Sequence, residues 1–96
     1  MALTMTRTRT QTTLTRLVKL LAALKRELLL IDELMMVDES SQQLLAQRRL
    51  LVSAQYEALV ATLRQFDPAL DLNAVRPAFT TARSRAAYIR KLHQPE

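Results

Sequence analysis

Apolar residues recur in the first part of the chain at the spacing of one helix face. The intervals alternate between three and four residues, which aligns the side chains along one side of an α-helix. Lys19 and Arg26 fall on the opposite side, as expected for a solvated face. We predict a helix over about residues 13–37, with Thr12 or Thr13 as its N-cap. Its core stripe is Leu14, Leu17, Leu21, Leu24, Leu28, Ile31 and Met35.

The second half of this helix is apolar around its whole circumference. Leu28–Ile31 and Leu34–Val37 are two blocks of consecutive apolar residues. One neighbouring helix cannot cover every side, so such a segment is typical of a helix buried in a bundle or an oligomer. We therefore expect an oligomer interface formed by Leu28, Leu29, Leu30, Ile31, Leu34, Met35, Met36 and Val37.

A polar segment, Asp38–Gln43, separates this helix from a second apolar pattern. Ser40 with Gln43 three residues later matches a capping box, which predicts a second helix over about residues 41–66. The expected fold is all-α, an antiparallel helical hairpin plus a shorter C-terminal helix that self-associates into a helical bundle. The core positions of the second helix are Leu45, Arg49, Val52, Tyr56, Leu59, Leu63 and Phe66.

An alternative fold follows from the phase of the two patterns. The heptad spacing continues without a shift from Leu14 to Phe66, as a single uninterrupted helix would require. Such a helix would form a long parallel coiled coil with a C-terminal helix. Arg49, at a core position in either fold, is expected to extend along the bundle edge, or else to pair with an acid such as Asp38 or Glu57.

The two ends of the chain differ from this central region. Asp67 followed by Pro68 predicts a short turn. A third helix is predicted over about residues 73–92, capped by Asp71 or Asn73, with Pro77 in its first turn. Residues 1–12 alternate Thr with Arg and are expected to form a mobile basic tail, which leaves one helical domain at 13–93. The apolar stripe of the third helix is Phe79, Ala82, Ala86 and Ile89.

Composition excludes several classes of protein. The 96 residues contain no Gly and no Cys, which argues against β-rich folds, Gly-rich phosphate loops, thiolate metal sites and cysteine nucleophiles. The one histidine, His93, lies close to the C-terminus and is expected to be exposed. No nucleophile, base or metal set assembles from spacing, so we expect neither enzyme activity nor a cofactor or metal.

The charge distribution suggests a polyanion surface. The net charge is +5, with basic segments at both ends and an acidic block at residues 27–39. Arg76, Arg83 and Arg90 are spaced by seven and would form one stripe on the third helix. The alternatives are a solvated face or a face docked on the acidic block. The candidate polyanion-binding residues are Arg7, Arg9, Arg76, Arg83, Arg85, Arg90 and Lys91.

These patterns predict a non-enzymatic small helical interaction or adaptor protein that acts as a homodimer or higher homo-oligomer. The alternative is a nucleic-acid-binding accessory protein that uses the basic tail and the Arg stripe, and an acidic protein is a further candidate partner. No apolar run approaches the ~20 residues that span a bilayer, so no integral membrane association is expected. The absence of Cys suits a cytoplasmic location.

Overall fold

A computed structural model describes residues 2–77 and 81–94, with side chains from residue 12 onward. Helix α1 spans Ala2–Val37 and helix α2 spans Gln42–Phe66, with a 3-10 turn at Glu39–Ser41 between them. A second 3-10 turn at Leu72–Ala74 precedes helix α3, which spans Ala82–His93. The described residues contain no strand, and the predicted all-α class is confirmed.

Helix α1 begins at Ala2 rather than at residue 13. Thr12 and Thr13 therefore lie inside the helix, and the prediction that either one is the N-cap is wrong. Thr costs only a few tenths of a kcal/mol in a helix interior, and residues 2–13 contain no Gly or Pro to stop the helix. The mobility of residues 1–12 stays a prediction.

The break between α1 and α2 is built around Asp38. Its backbone is extended, and its carboxylate accepts hydrogen bonds from Ser40 Oγ at 2.7 Å and Ser41 Oγ at 3.1 Å. These two bonds, first that of Ser40 and then that of Ser41, lower the pKa of Asp38. The predicted capping box of Ser40 is wrong, because the Ser40 hydroxyl donates to Asp38 and Ser41 occupies the N-cap of α2. Gln42 Nε2 donates to Met35 O across the break.

Helices α1 and α2 pack against each other, so the uninterrupted helix of the alternative fold is not formed. Phe66, predicted as a core position, is 51% exposed, so that part of the heptad prediction is wrong. The prediction is confirmed at seven positions: Leu21, Leu24, Ile31, Leu45, Val52, Leu59 and Leu63. Leu30 and Leu34, outside the predicted stripe, are buried as well, because residues of the connecting segment and α3 pack on the core from further sides. The buried apolar residues are Leu21, Leu24, Leu30, Ile31, Leu34, Leu45, Val52, Leu59 and Leu63.

The connection to α3 differs from the prediction. Asp67 forms the expected turn with Pro68, accepting from the backbone N of Ala69 at 3.1 Å. Asp71 caps only the 3-10 turn. The chain is extended at Val75. Thr81 is the N-cap of α3 and forms a reciprocal capping box with Ser84 in the first turn of the helix.

The predicted start of the third helix at residue 73 is therefore wrong. Pro77 disfavours helical geometry in the preceding Arg76, so a helix cannot run smoothly from residue 73 through 77. Pro77 lies in the connecting segment rather than in a first helical turn. Ile89 packs on the core as predicted, whereas Ala82 and Ala86 are exposed. Phe79 lies outside the described residues.

Candidate functional site at the junction of the three helices

Glu27 connects the three helices. Arg48 of α2 donates from Nε and Nη2 to the two carboxylate oxygens of Glu27, at 2.6 and 3.1 Å. Tyr88 of α3 donates its hydroxyl proton to Glu27 Oε2 at 2.7 Å. One carboxylate on α1 thus receives donors from both other helices. A bidentate guanidinium–carboxylate contact is among the stronger and more directional polar contacts in proteins.

The protonation states of this cluster follow from its contacts. Burial opposes ionisation of Glu27, but the hydrogen bonds from Arg48 and Tyr88 outweigh it and lower the pKa of Glu27. The hydrogen bond to Glu27 raises the pKa of Arg48. Burial, and then the hydrogen bond to Glu27, raise the pKa of Tyr88. At neutral pH the cluster is therefore a carboxylate, a guanidinium and an un-ionised phenol, which suits structural support rather than proton transfer.

A small cavity lies next to this cluster. Its volume is about 250 Å³, and Ala23 and Leu30 supply apolar lining beside Glu27 and Tyr88. Arg26 also lines it, and the buried Nε of Arg26 has no hydrogen-bond partner among the described residues. The space is large enough to admit water molecules that satisfy this N–H.

Ser41 and His93 are brought together by the fold although 52 residues separate them. Ser41 Oγ lies 2.8 Å from His93 Nε2 and also contacts Asp38 Oδ2. An ionised carboxylate only accepts hydrogen bonds, so the single hydroxyl proton of Ser41 goes to Asp38. His93 Nε2 must then carry a proton and donate it in the hydrogen bond to Ser41.

This arrangement is not that of an activated nucleophile. A catalytic base accepts the hydroxyl proton, whereas His93 donates to Ser41. Ser41 is also only 1% exposed, so its oxygen is closed to a substrate. Instead, the hydrogen-bonded chain joins the end of α3 to the break between α1 and α2. The expectation that His93 is exposed is confirmed, but no local signal in the sequence indicated its contact with Ser41.

Two further contacts fix the surroundings of α1. Lys25 Nζ donates to the backbone oxygens of Leu72 at 2.6 Å and Val75 at 2.8 Å, which holds the segment after α2 against α1. Arg49 Nε contacts Asp32 Oδ1 at 2.8 Å, and both side chains are about half exposed. Arg49 therefore lies at the edge of the helix pair as expected, but its acidic partner is Asp32.

The candidate polyanion-binding residues are distributed over more than one element of the chain. Arg83 and Arg90 are exposed on α3, but Arg76 lies in the connecting segment, so the predicted stripe of three arginines on one helix is wrong. Arg85 Nη1 contacts Glu33 Oε2 at 3.5 Å and is thus docked on the acidic block. Lys91 is exposed, and its charge contributes to the lowered pKa of Glu27. The side chains of Arg7 and Arg9 lie outside the described residues.

The candidate oligomer residues divide into two groups. Leu30, Ile31 and Leu34 are buried within the chain, and Leu28 and Met35 are half-buried against the same core. The remaining three are exposed: Leu29, Met36 and Val37.

The described parts of the chain contain neither a metal-ligand cluster nor a membrane-spanning helix. No group of three His, Asp or Glu side chains there is arranged to hold a metal ion. None of the helices in those parts has the length and apolarity needed to cross a membrane. No protein-family model, no curated protein and no solved structure matches this chain. Function is therefore inferred from the chain's own geometry and charge.

Proposed function

We propose that this protein is a non-enzymatic helical interaction module that acts as a homo-oligomer. The observation that carries this proposal is the number of large apolar side chains left exposed on the described surface. Exposed apolar residues that adjoin one another mark sites of protein association, and two such groups are Leu44 with Leu50 and Leu51 on α2, and Met36 with Val37 at the end of α1. The exposed fractions range from 37% to 87%, and the residues are Leu20, Leu29, Met36, Val37, Leu44, Leu50, Leu51 and Phe66.

The small size of the chain supports the same proposal. A domain of this length buries a limited share of its apolar surface when it folds alone. Its core is a single layer between two long helices, covered on part of one side by α3 and the connecting segment. Association with a second copy would remove further apolar area from water, at about 25 cal/mol per Å².

The proposed module has α1 and α2 antiparallel, as a helical hairpin. Only residues 38–41 connect the two helices. These four residues span at most ~14 Å when fully extended. A parallel arrangement would need a connection as long as α2 itself, which is ~38 Å for its 25 residues. Because α1 and α2 pack together within one chain, the short connection favours the antiparallel arrangement.

The absence of enzyme activity is part of the proposal. The only Ser–His contact, among the residues that the structure describes, has a buried hydroxyl and a histidine that donates to it. The carboxylate of Glu27 is held by Arg48 and Tyr88 and is stabilised as a charged, fully engaged group. These contacts give Ser41, His93 and Glu27 a structural role that requires no catalytic one.

Sedimentation of the full chain at low micromolar concentration tests the proposed self-association. We expect a species with a multiple of the 11.0 kDa chain mass, which dissociates on dilution. Because apolar contacts are proposed to drive it, the assembly should persist in about 1 M salt, where contacts between exposed charges are screened. A monodisperse monomer of 11.0 kDa at every concentration would contradict the proposal.

Nucleic-acid binding is a second candidate function, favoured by the exposed basic residues of α3. Arg83, Arg90 and Lys91 are exposed, and α3 contains no acidic residue. Positively charged side chains on one exposed helix can neutralise phosphates, and the resulting affinity falls steeply with salt.

A titration of a DNA duplex across salt concentrations tests this second function. The Arg83→Ala, Arg90→Ala double variant should bind more weakly than wild type and reduce the slope of log K against log salt by about 2. The matched control is Arg49→Ala with Arg64→Ala, which removes two exposed arginines from α2. The idea fails if wild type does not bind at low salt, or if both double variants weaken binding equally.

A further inference from the structure

One exposed stripe along α2 has no charged residue at any of its positions. Exposed residues recur there at alternating intervals of three and four, on the side away from the buried Leu45 and Val52. This stripe covers ~26 Å of helix. We call it the outer seam, and it consists of Leu44, Gln47, Leu51, Ala54, Ala58 and Ala61.

Most residues beside the outer seam are uncharged as well. Leu50, Gln55 and Thr62 are exposed next to it, and Leu50 is 76% exposed. The charged residues nearest to this strip are Glu57, seven residues from Leu50 on one edge, and the partly buried Arg48, seven residues from Gln55 on the other, whereas Arg49 and Arg64 lie further round the helix. A helix face that remains in water normally carries charged and polar side chains, so this strip is built for contact rather than for solvation.

We infer that the outer seam of one chain packs against the outer seam of a second chain, an inference that rests on the proposed self-association. Alternating intervals of three and four are the spacing at which a helix accepts side chains from another helix. Ala54, Ala58 and Ala61 leave room for a close approach of the two helices, and Leu44 and Leu51 supply the bulk that fills the contact. The partner is therefore a helix of similar length.

The proposed self-association makes the partner a second copy, and charge selects its outer seam as the surface that meets this one. A facing helix with Lys or Glu in the contact would bury those charges against Leu and Ala without a partner. The described outer faces of α1 and α3 carry such charges, for example Lys19, Asp32 and Arg83. The outer seam itself is uncharged and has the required length and spacing, and a two-fold axis brings identical surfaces together.

The outer seam is distinct from the interface expected at Leu28–Val37. Three residues of that segment are buried in the chain's own core, and Met36 and Val37 stand at its end, next to the break. The outer seam, in contrast, is exposed at every one of its positions. Variants in the two surfaces therefore separate the two interfaces.

Charge-swapped variants of the full chain test the outer seam by sedimentation at low micromolar concentration. One variant carries Leu51→Glu with Ala54→Glu, and the other carries Leu51→Lys with Ala54→Lys. Each variant alone should self-associate roughly 100-fold more weakly than wild type, because like charges meet in the contact. An equimolar mixture should restore the dimer, in parallel or antiparallel packing, since each Glu then faces a Lys.

The matched control is Met36→Glu with Val37→Glu, two exposed apolar positions outside the outer seam, which should leave the dimer intact. Circular dichroism should show unchanged helix content in all variants, because every substituted residue is exposed. If wild type assembles but the outer-seam variants do so equally well, or if the mixture stays monomeric, the outer seam is not the interface and self-association stands. A monomeric wild type would overturn both.

Discussion

Replacing Leu45 with alanine is expected to lower the free energy of unfolding by about 2–5 kcal/mol. Leu45 has no exposed surface and lies in the core between α1 and α2, so truncation removes apolar contacts and leaves a cavity that helices can close only in part. A core this small has few other contacts to compensate. The loss should appear in urea unfolding followed by circular dichroism.

The control for this prediction is Met36→Ala, at a position that is 87% exposed. It should change the free energy of unfolding by less than about 0.5 kcal/mol. Both variants must be compared with wild type at one protein concentration, since self-association would add to apparent stability. Equal losses from Leu45→Ala and Met36→Ala would show that Leu45 is not part of the core.

The second prediction concerns the distance between a position on α1 and a position on α2 within one chain. Labels attached through cysteines at Lys19 and Glu57, both exposed, should lie close together within one chain if α1 and α2 are antiparallel. Helix axes in contact are ~8–10 Å apart, and the label arms add to that separation. In a continuous helix the same two positions would be ~57 Å apart. Pulsed electron spin resonance, with labelled chains diluted into unlabelled ones, measures the distance within a chain.

A control pair for the distance is Lys19 with Asp32, both exposed on α1. Their separation of ~20 Å is the same in either arrangement and calibrates the label arms. A Lys19–Glu57 distance well above 40 Å would show that the antiparallel hairpin is wrong. A short distance with a correct control would support the hairpin independently of whether the chain dimerises.

The end of α1 and both ends of α2 could be predicted because their signals are local, whereas the start of α1 could not. Leu21, Leu24 and Ile31 recur at the spacing of a helix face, and each is buried in the structure. The Asp67–Pro68 turn was predictable for the same reason, since the carboxylate bonds to a backbone N–H two residues later. Patterns of this kind depend on residues within one or two helical turns of each other.

The details of the breaks were harder to predict because several residues compete for the same hydrogen bonds. Ser40 has the spacing of a capping residue, yet its hydroxyl donates a hydrogen bond to Asp38 instead. Thr81 and Ser84 also form a capping box, which becomes the start of α3 because Pro77 prevents the helix from continuing from residue 73. Which capping residue is used depends on the path of the backbone around it.

The sequence by itself determined the all-α class, the two long apolar stripes and the break between them, because helix periodicity and the lack of Gly act within a short stretch of chain. Only the tertiary structure decided which apolar residues of Leu28–Val37 are covered, and which polar residues meet at Glu27 and at Ser41. Those contacts join residues up to 61 positions apart. Their formation depends on how α3 lies against the helix pair, which is set by packing rather than by local spacing.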